Sequence, residues 1–244
     1  MLLLCWNILQ GGGARRARIV EEVTAYDPDV IALTSFRARP GAALKEGLGE
    51  RGWEFCETTD PPENRNGIAV FARAAMRRRP CAAPRGESAR WLDLDLPEFG
   101  IGIGVLHIMA AAAGKKSPEA AAKLRFWDAV LEAAAARLRE PFLFLGDWNT
   151  GLHRLDEPGS LFIGAEHFAR LSALGWTDLW RHHNPGDTEF SWYWKAHGVR
   201  GNGYRVDHAF ASPALAARVR ACRYSHTQRD AGISDHSLML VEVE

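Results

Sequence analysis

The sequence predicts a layered α/β fold, and three observations predict it. Apolar, β-branched runs recur along the whole chain, two of them open it with a helical stretch in between, and two further helical stretches divide the rest. The size agrees: 244 residues, 47% hydrophobic, 25% charged and 10% aromatic, suit one folded domain with a sizeable core and exclude a disordered or collagen-like chain.

Residues 2–8 read as a short buried strand. Gly11, Gly12 and Gly13 then turn the chain, and residues 14–26 space Ala17, Val20, Val23 and Ala25 as a helix does, with Pro28 closing it. Residues 30–33 form the next buried strand and complete a β-α-β unit. Further strands are expected at residues 67–71, 89–94, 101–108, 142–145, 205–211 and 238–243, and helices at 118–139, with Pro118 at its start, and 165–174. No repeat and no linker-like shift in composition interrupts the chain, so residues 1–244 are read as a single domain.

Lys+Arg and Asp+Glu both number 30, so the chain does not coat nucleic acid through overall charge, and any contact with a polyanion is a local patch. Basic residues cluster at Arg15, Arg16 and Arg18, at residues 77–79, and at Lys115 and Lys116. Of these, Arg15, Arg16 and Lys115 follow strands whose ends should border a cleft, which makes them the candidate phosphate-backbone contacts. Cys5, Cys56, Cys81 and Cys222 lie far apart without a C-x-x-C pair, against a zinc ribbon or a disulfide scaffold. No run approaches the ~18 apolar residues of a membrane span and no cleavable leader is visible. A cytoplasmic, monomeric protein without membrane partners is expected.

Three segments carry chemistry. Gly146-Asp147-Trp148-Asn149 places an acid and an amide where a buried strand ends, an address at which a carboxylate can take a proton from water and an amide can donate to a phosphate oxygen. Asp and Asn after a strand also form turns, so the pair alone does not decide. Ser234-Asp235-His236 precedes the last strand. Adjacent Asp235 and His236 point in different directions in extended chain, so each needs its own partner. Asp207, in Gly203-Tyr204-Arg205-Val206-Asp207, is a carboxylate that could orient His236.

Together with Trp6-Asn7-Ile8 and Asn66-Gly67-Ile68-Ala69-Val70, these segments resemble the endonuclease/exonuclease/phosphatase superfamily, and in motifs most of all its exonuclease III and abasic-site endonuclease branch. The resemblance implies a four-layer α/β sandwich, two central mixed β-sheets flanked by helices, whose strand-end loops meet in a cleft holding a divalent metal, Mg²⁺ or Mn²⁺. It implies in-line attack of water on phosphorus, with Asp147 orienting or deprotonating the water. Asn7 and Asn149 would hold phosphate or metal, Asp235 would bind the metal or its water, and His236, oriented by Asp207, would stabilise the charge growing on phosphoryl oxygens. His107 falls where DNase-like members keep a second histidine. Trp192, in Phe190-Ser191-Trp192-Tyr193-Trp194, is the ring expected beside the sugar or base. Asp147 and His236 are both expected on loops outside the core.

One departure is serious. After the second strand the family carries Q-E, whose glutamate is its principal metal ligand, and this chain reads Thr34-Ser35. Ser35 offers a neutral, weaker ligand where Mg²⁺ sites rest on one or two carboxylates. The expected function is a metal-dependent phosphodiesterase or nuclease acting on nucleic acid, weakened at Ser35. A hydrolase of a small phosphate ester, favoured by the neutral net charge, and a non-catalytic phosphate- or nucleic-acid-binding relative remain as alternatives.

Overall fold

The computed structural model describes residues 1–111, 117–159, 162–196 and 199–244. In chain order the strands are β1 (Leu2–Asn7), β2 (Val30–Phe36), β3 (Phe55–Thr58), β4 (Gly67–Ala72), β5 (Arg77–Arg78), β6 (Trp91–Leu96), β7 (Ile101–His107), β8 (Phe142–Asp147), β9 (Thr177–Asp178), β10 (Trp192–Ala196), β11 (Val199–Tyr204), β12 (Asp207–Ala211), β13 (Val219–Ser225) and β14 (Leu238–Val243). The helices are α1 (Arg16–Thr24), α2 (Ala38–Gly49), α3 (Pro118–Ala136), α4 (Ala165–Ala173) and the short α5 (Leu179–His183), α6 (Pro213–Ala216) and α7 (Thr227–Asp230).

One sheet runs β13-β14-β1-β2-β4-β3, the other β5-β6-β7-β8-β12-β9, and β10 and β11 form a separate hairpin. Side chains alternate across each strand, and here both faces find apolar company. Leu3 and Cys5 of β1 and Val30 and Ala32 of β2 meet Val105 of β7, Leu143 and Leu145 of β8 and Ala209 of β12 in the layer between the sheets. The alternate residues Leu4, Trp6, Ile31 and Leu33 face outward to Ile19 and Val23 of α1 and Leu44 and Leu48 of α2. On the opposite side Leu106, Phe142, Phe144 and Phe210 face Phe126 and Trp127 of α3 and Phe168 of α4. This is the expected four-layer sandwich.

Several boundaries differ from expectation. The chain takes a 3-10-like turn over Gln10–Arg15, with Gly11, Gly12 and Gly13 at positive φ, so α1 begins later than residue 14. β2 continues beyond Leu33 to Phe36 through an irregularity in its pairing with β4, where Ser35 is left-handed at φ 58°; an extra, left-handed residue of this kind is a bulge. β12 starts at Asp207, because Arg205 is drawn out of the ladder by Asp156 and Asp178. Pairing in β8 leaves no room at Gly146: its φ is +141°, and a Cβ there would lie 1.9 Å from the Leu106 carbonyl oxygen of β7. Gly146→Ala is therefore expected to destabilise the protein by at least about 2–4 kcal/mol, read as a lower denaturant midpoint at unchanged slope.

Candidate active site

Strand register sets the site. His107 on β7 and Asp207 on β12 are both paired with Asp147 on β8. The three titratable side chains therefore stand in one row, on the face that two residues away carries Val105, Leu145 and Ala209 into the inter-sheet core. Asn7, two residues past Cys5 on β1, faces them from the other sheet. The hairpin and the segment before β14 close the row, through an isolated bridge between Trp192 and His236.

Within this seam the hydrogen bonds cross from sheet to sheet. Asn7 Nδ2 donates to Asp147 Oδ2 at 2.9 Å, and Asn7 Oδ1 accepts from the Leu9 N–H at 3.0 Å. Asn149, left-handed at φ 46°, turns back so that its N–H and Nδ2 both donate to Asp147 Oδ1, at 3.1 and 2.8 Å. Asp207 Oδ2 lies 2.9 Å from His236 Nδ1. That contact leaves His236 Nε2 3.4 Å from Asn7 Nδ2 and 3.9 Å from Asp147 Oδ2.

His236 lies in the loop segment before β14 as expected, but the expectation that Asp147 is on a loop and that both residues lie outside the core is corrected here. Asp147 is the last residue of β8 and 2% exposed, and His236 is 7% exposed. The strand ends converge at the seam between the sheets, so residues at their tips are enclosed by both. The His236 segment is held in place by buried partners: the Trp6 indole donates to the His236 carbonyl at 3.0 Å, the Ser234 hydroxyl donates to the Asn7 carbonyl at 2.6 Å, and the Ser191 hydroxyl accepts from the Asp207 N–H at 3.1 Å.

Electrostatics divide the titrating groups. Burial alone would push the His236 imidazolium down, but the carboxylates of Asp207 and Asp147 and the Asp207 hydrogen bond outweigh it and push His236 up to about 10. His107 goes the other way: burial brings it down to about 4 against the pull of Asp147, whose Oδ2 is 3.7 Å from His107 Nε2. Asp147 is raised by burial and by Asp207, opposed by the two histidines and the Asn7 bond. The site thus presents an imidazolium at His236, a neutral imidazole at His107 and a carboxylate with increased proton affinity at Asp147.

Asp147, Asp207 and His236 each offer a ligand atom within 4.8 Å of the others. Several of those atoms hydrogen-bond Asn7, Asn149 or one another, so the trio is an acid-base array as well as a group that could hold a cation. The oxygens left over lie beside it. Asp235 Oδ2 accepts from the Trp192 indole at 3.0 Å, whereas Asp235 Oδ1 and the hydroxyl of Thr34 are buried without a hydrogen-bond partner among the described residues. Oxygen donors of this kind suit a hard divalent cation, and Asp235 supplies their negative charge. Ser35 sits next to Thr34 in the bulge and is 4% exposed.

The other candidates are placed as follows. Trp192 is tied to Asp235, with its ring centroid 6.3 Å from that of His236 and 5.7 Å from that of Tyr204. Arg15 directs its guanidinium to the carbonyls of Ile8, Leu9 and Ile233, and so clamps the two loops around the site. Arg16 lines a groove between α1 and α2 with Ala43 and Gly47. Lys115 and Lys116 lie outside the described residues. Sequence reasoning missed Trp6 and Ser191 as site residues, although both stand inside the quoted motifs.

Because the folded chain holds the His236 proton while the unfolded chain releases it near 6.5, the stability this group contributes is full below about 6.5 and is lost as pH rises towards about 10. Urea unfolding across this window should show the decline, and Asp207→Asn should flatten it. An undiminished decline in that variant would assign it to other groups.

The sequence profile described as Endonuclease/Exonuclease/phosphatase family matches residues 4–236. A DNA-(apurinic or apyrimidinic site) endonuclease of Dictyostelium discoideum is 20% identical over 93% of this chain, which spans 66% of that protein's length. Among solved structures, a 3'-5' exonuclease from Neisseria meningitidis superposes with a TM-score of 0.82 at 23% identity, over 100% of both chains. An AP endonuclease from Archaeoglobus fulgidus superposes with a TM-score of 0.86 at 15% identity, over 100% of this chain and 99% of that one. These structural likenesses concern the fold, and the profile match spans nearly the whole chain: the protein belongs to the endonuclease/exonuclease/phosphatase family.

Proposed function

We propose that the protein is a phosphodiesterase of the nuclease type, hydrolysing phosphodiester bonds of nucleic acid by in-line attack of water. The observation that supports this reading is the cross-sheet array in which Asp207 orients His236 at 2.9 Å while Asn7 and Asn149 orient Asp147. Asp147, with its proton affinity increased, takes the proton of the attacking water. The His236 imidazolium, 3.9 Å away, is a fixed positive charge for the phosphoryl oxygens as they gain charge. His107, neutral, keeps its Nε2 3.7 Å from the same Asp147 oxygen, close enough to donate to a phosphate or water oxygen brought there. Mg²⁺ or Mn²⁺ would be held by Asp235 with help from the hydroxyls of Thr34 and Ser35, and would supply Lewis-acid polarisation of the phosphate. Trp192 and Tyr204 offer aromatic faces to a sugar or base beside the scissile bond.

DNA-directed relatives favour a nucleic-acid substrate and a place in DNA repair: one solved relative is a 3' phosphatase bound to a product DNA hairpin. Zero net charge, with Arg15 committed to backbone carbonyls, favours instead a small phosphate ester. The four cysteines are unpaired and suit a reducing, cytoplasmic setting.

Asp147→Ala and His236→Ala are each expected to lower turnover by about 10²-fold or more on an abasic-site duplex or on bis-p-nitrophenyl phosphate, whichever the wild type cleaves. Turnover retained by folded Asp147→Ala would refute the assignment. Cleavage of bis-p-nitrophenyl phosphate but no nucleic acid would select the small-ester reading. Ser35→Glu tests the metal separately. Ser35 already holds the left-handed bulge position, and a carboxylate there should tighten Mn²⁺ binding by roughly 10-fold or more in calorimetric titration. Unchanged binding in the folded variant would mean that position 35 does not face the ion.

A further inference from the structure

We infer that Lys123 is a positioning residue of this site, its buried ammonium fixing the Asp147–Asn149 turn and setting a positive charge behind Asp147. Lys123 lies on α3 in the outer layer, yet it is 1% exposed. Its side chain reaches round the end of β8, where Nζ donates to the Asn149 carbonyl. One helical turn later the Trp127 indole donates to the Thr150 hydroxyl at 3.1 Å. These i and i+4 residues share a helix face, so α3 grips two successive residues just past the catalytic carboxylate.

Asn149 needs that grip. It is left-handed without being glycine, and both its N–H and its Nδ2 must aim at Asp147 Oδ1. A conformation of this kind persists where the surroundings over-determine it. Holding a carbonyl does not by itself require an ion, because a neutral amide would do so without the desolvation that a buried ammonium suffers. Among the described residues Lys123 makes no ion pair within 4 Å, and the charge that most favours its protonated form is Asp147. The cation is placed where the site gathers negative charge, in a position that touches the base's turn and not the substrate.

Its kinetic consequence rests on the hydrolytic reading above; its structural consequence does not. The test compares wild type, Lys123→Met and Lys123→Arg in the full chain, by amide hydrogen exchange over residues 146–150 and by steady-state kinetics. Lys123→Met should speed exchange of the Asn149 N–H by roughly 10-fold or more while the strands keep wild-type protection. It should lower kcat by about 10²-fold with KM within about 3-fold, and Lys123→Arg should recover part of both losses. Unchanged exchange in Lys123→Met overturns the inference, as does a loss that Lys123→Arg does not recover at all, which assigns Lys123 to helix packing alone. If Lys123→Met does not fold, Lys123→Gln replaces it, and wild-type kcat in folded Lys123→Gln overturns the role of the charge. A wild-type chain inert toward every phosphodiester would remove the proposed function and leave exchange to decide this inference.

Discussion

The hydrogen bond between Asp207 and His236 joins the two sheets at the one point where their chemistry meets. Asp207 belongs to β12 in the second sheet, and His236 leads into β14 in the first, so their 2.9 Å contact exists only if the sheets stack in one relative position. The Asn7–Asp147 bond repeats the constraint from β1 to β8. Around these two bridges the remaining features follow: Trp6 holds the His236 carbonyl, Ser234 the Asn7 carbonyl and Ser191 the Asp207 N–H, and the apolar layer between the sheets sets their spacing. The same bridges determine the charge state. His236 stays an imidazolium because the carboxylates of Asp207 and Asp147 outweigh its burial, whereas burial, helped by Arg90 and His236, outweighs Asp147 at His107 and keeps it neutral.

Much of this was legible in the sequence, for a physical reason. Strands buried on both faces are continuous apolar runs, so β1, β4, β7, β8 and β14 announced themselves, and motif residues at their ends could be read as site residues. Elements whose stability comes from tertiary contact were hidden. α2 contains Pro40, Gly41 and Gly47, which read as breakers, and only Leu44 and Leu48 anchor it. β13 carries Arg220 and Arg223 on an exposed face, as sheet-edge strands do, and lacks an apolar run. Lys123 was invisible for a related reason: a lysine in an alanine-rich helix reads as solvent-facing, and only the path of the chain beyond β8 encloses it.

The departure at Ser35 takes a different form in three dimensions. As a sequence difference it is the loss of a ligand. In the fold it is also a bulge, and the left-handed residues Leu9, Ser35 and Asn149 all lie at strand ends around the cleft. Such conformations are costly in isolation, and at these three strand ends they mark where the sheet's regularity gives way to the site.

The contact between Asn7 and His236 spans 229 positions of the chain, and β1 lies between β14 and β2 in its sheet. On a ribosome the first strand emerges early, but the neighbour that completes its hydrogen bonding, and the imidazole that completes the cleft, arrive only with the final strand. A chain cut before Ser234 keeps β1 but loses both that neighbour and that imidazole, so this sheet and this constellation are gained or lost together.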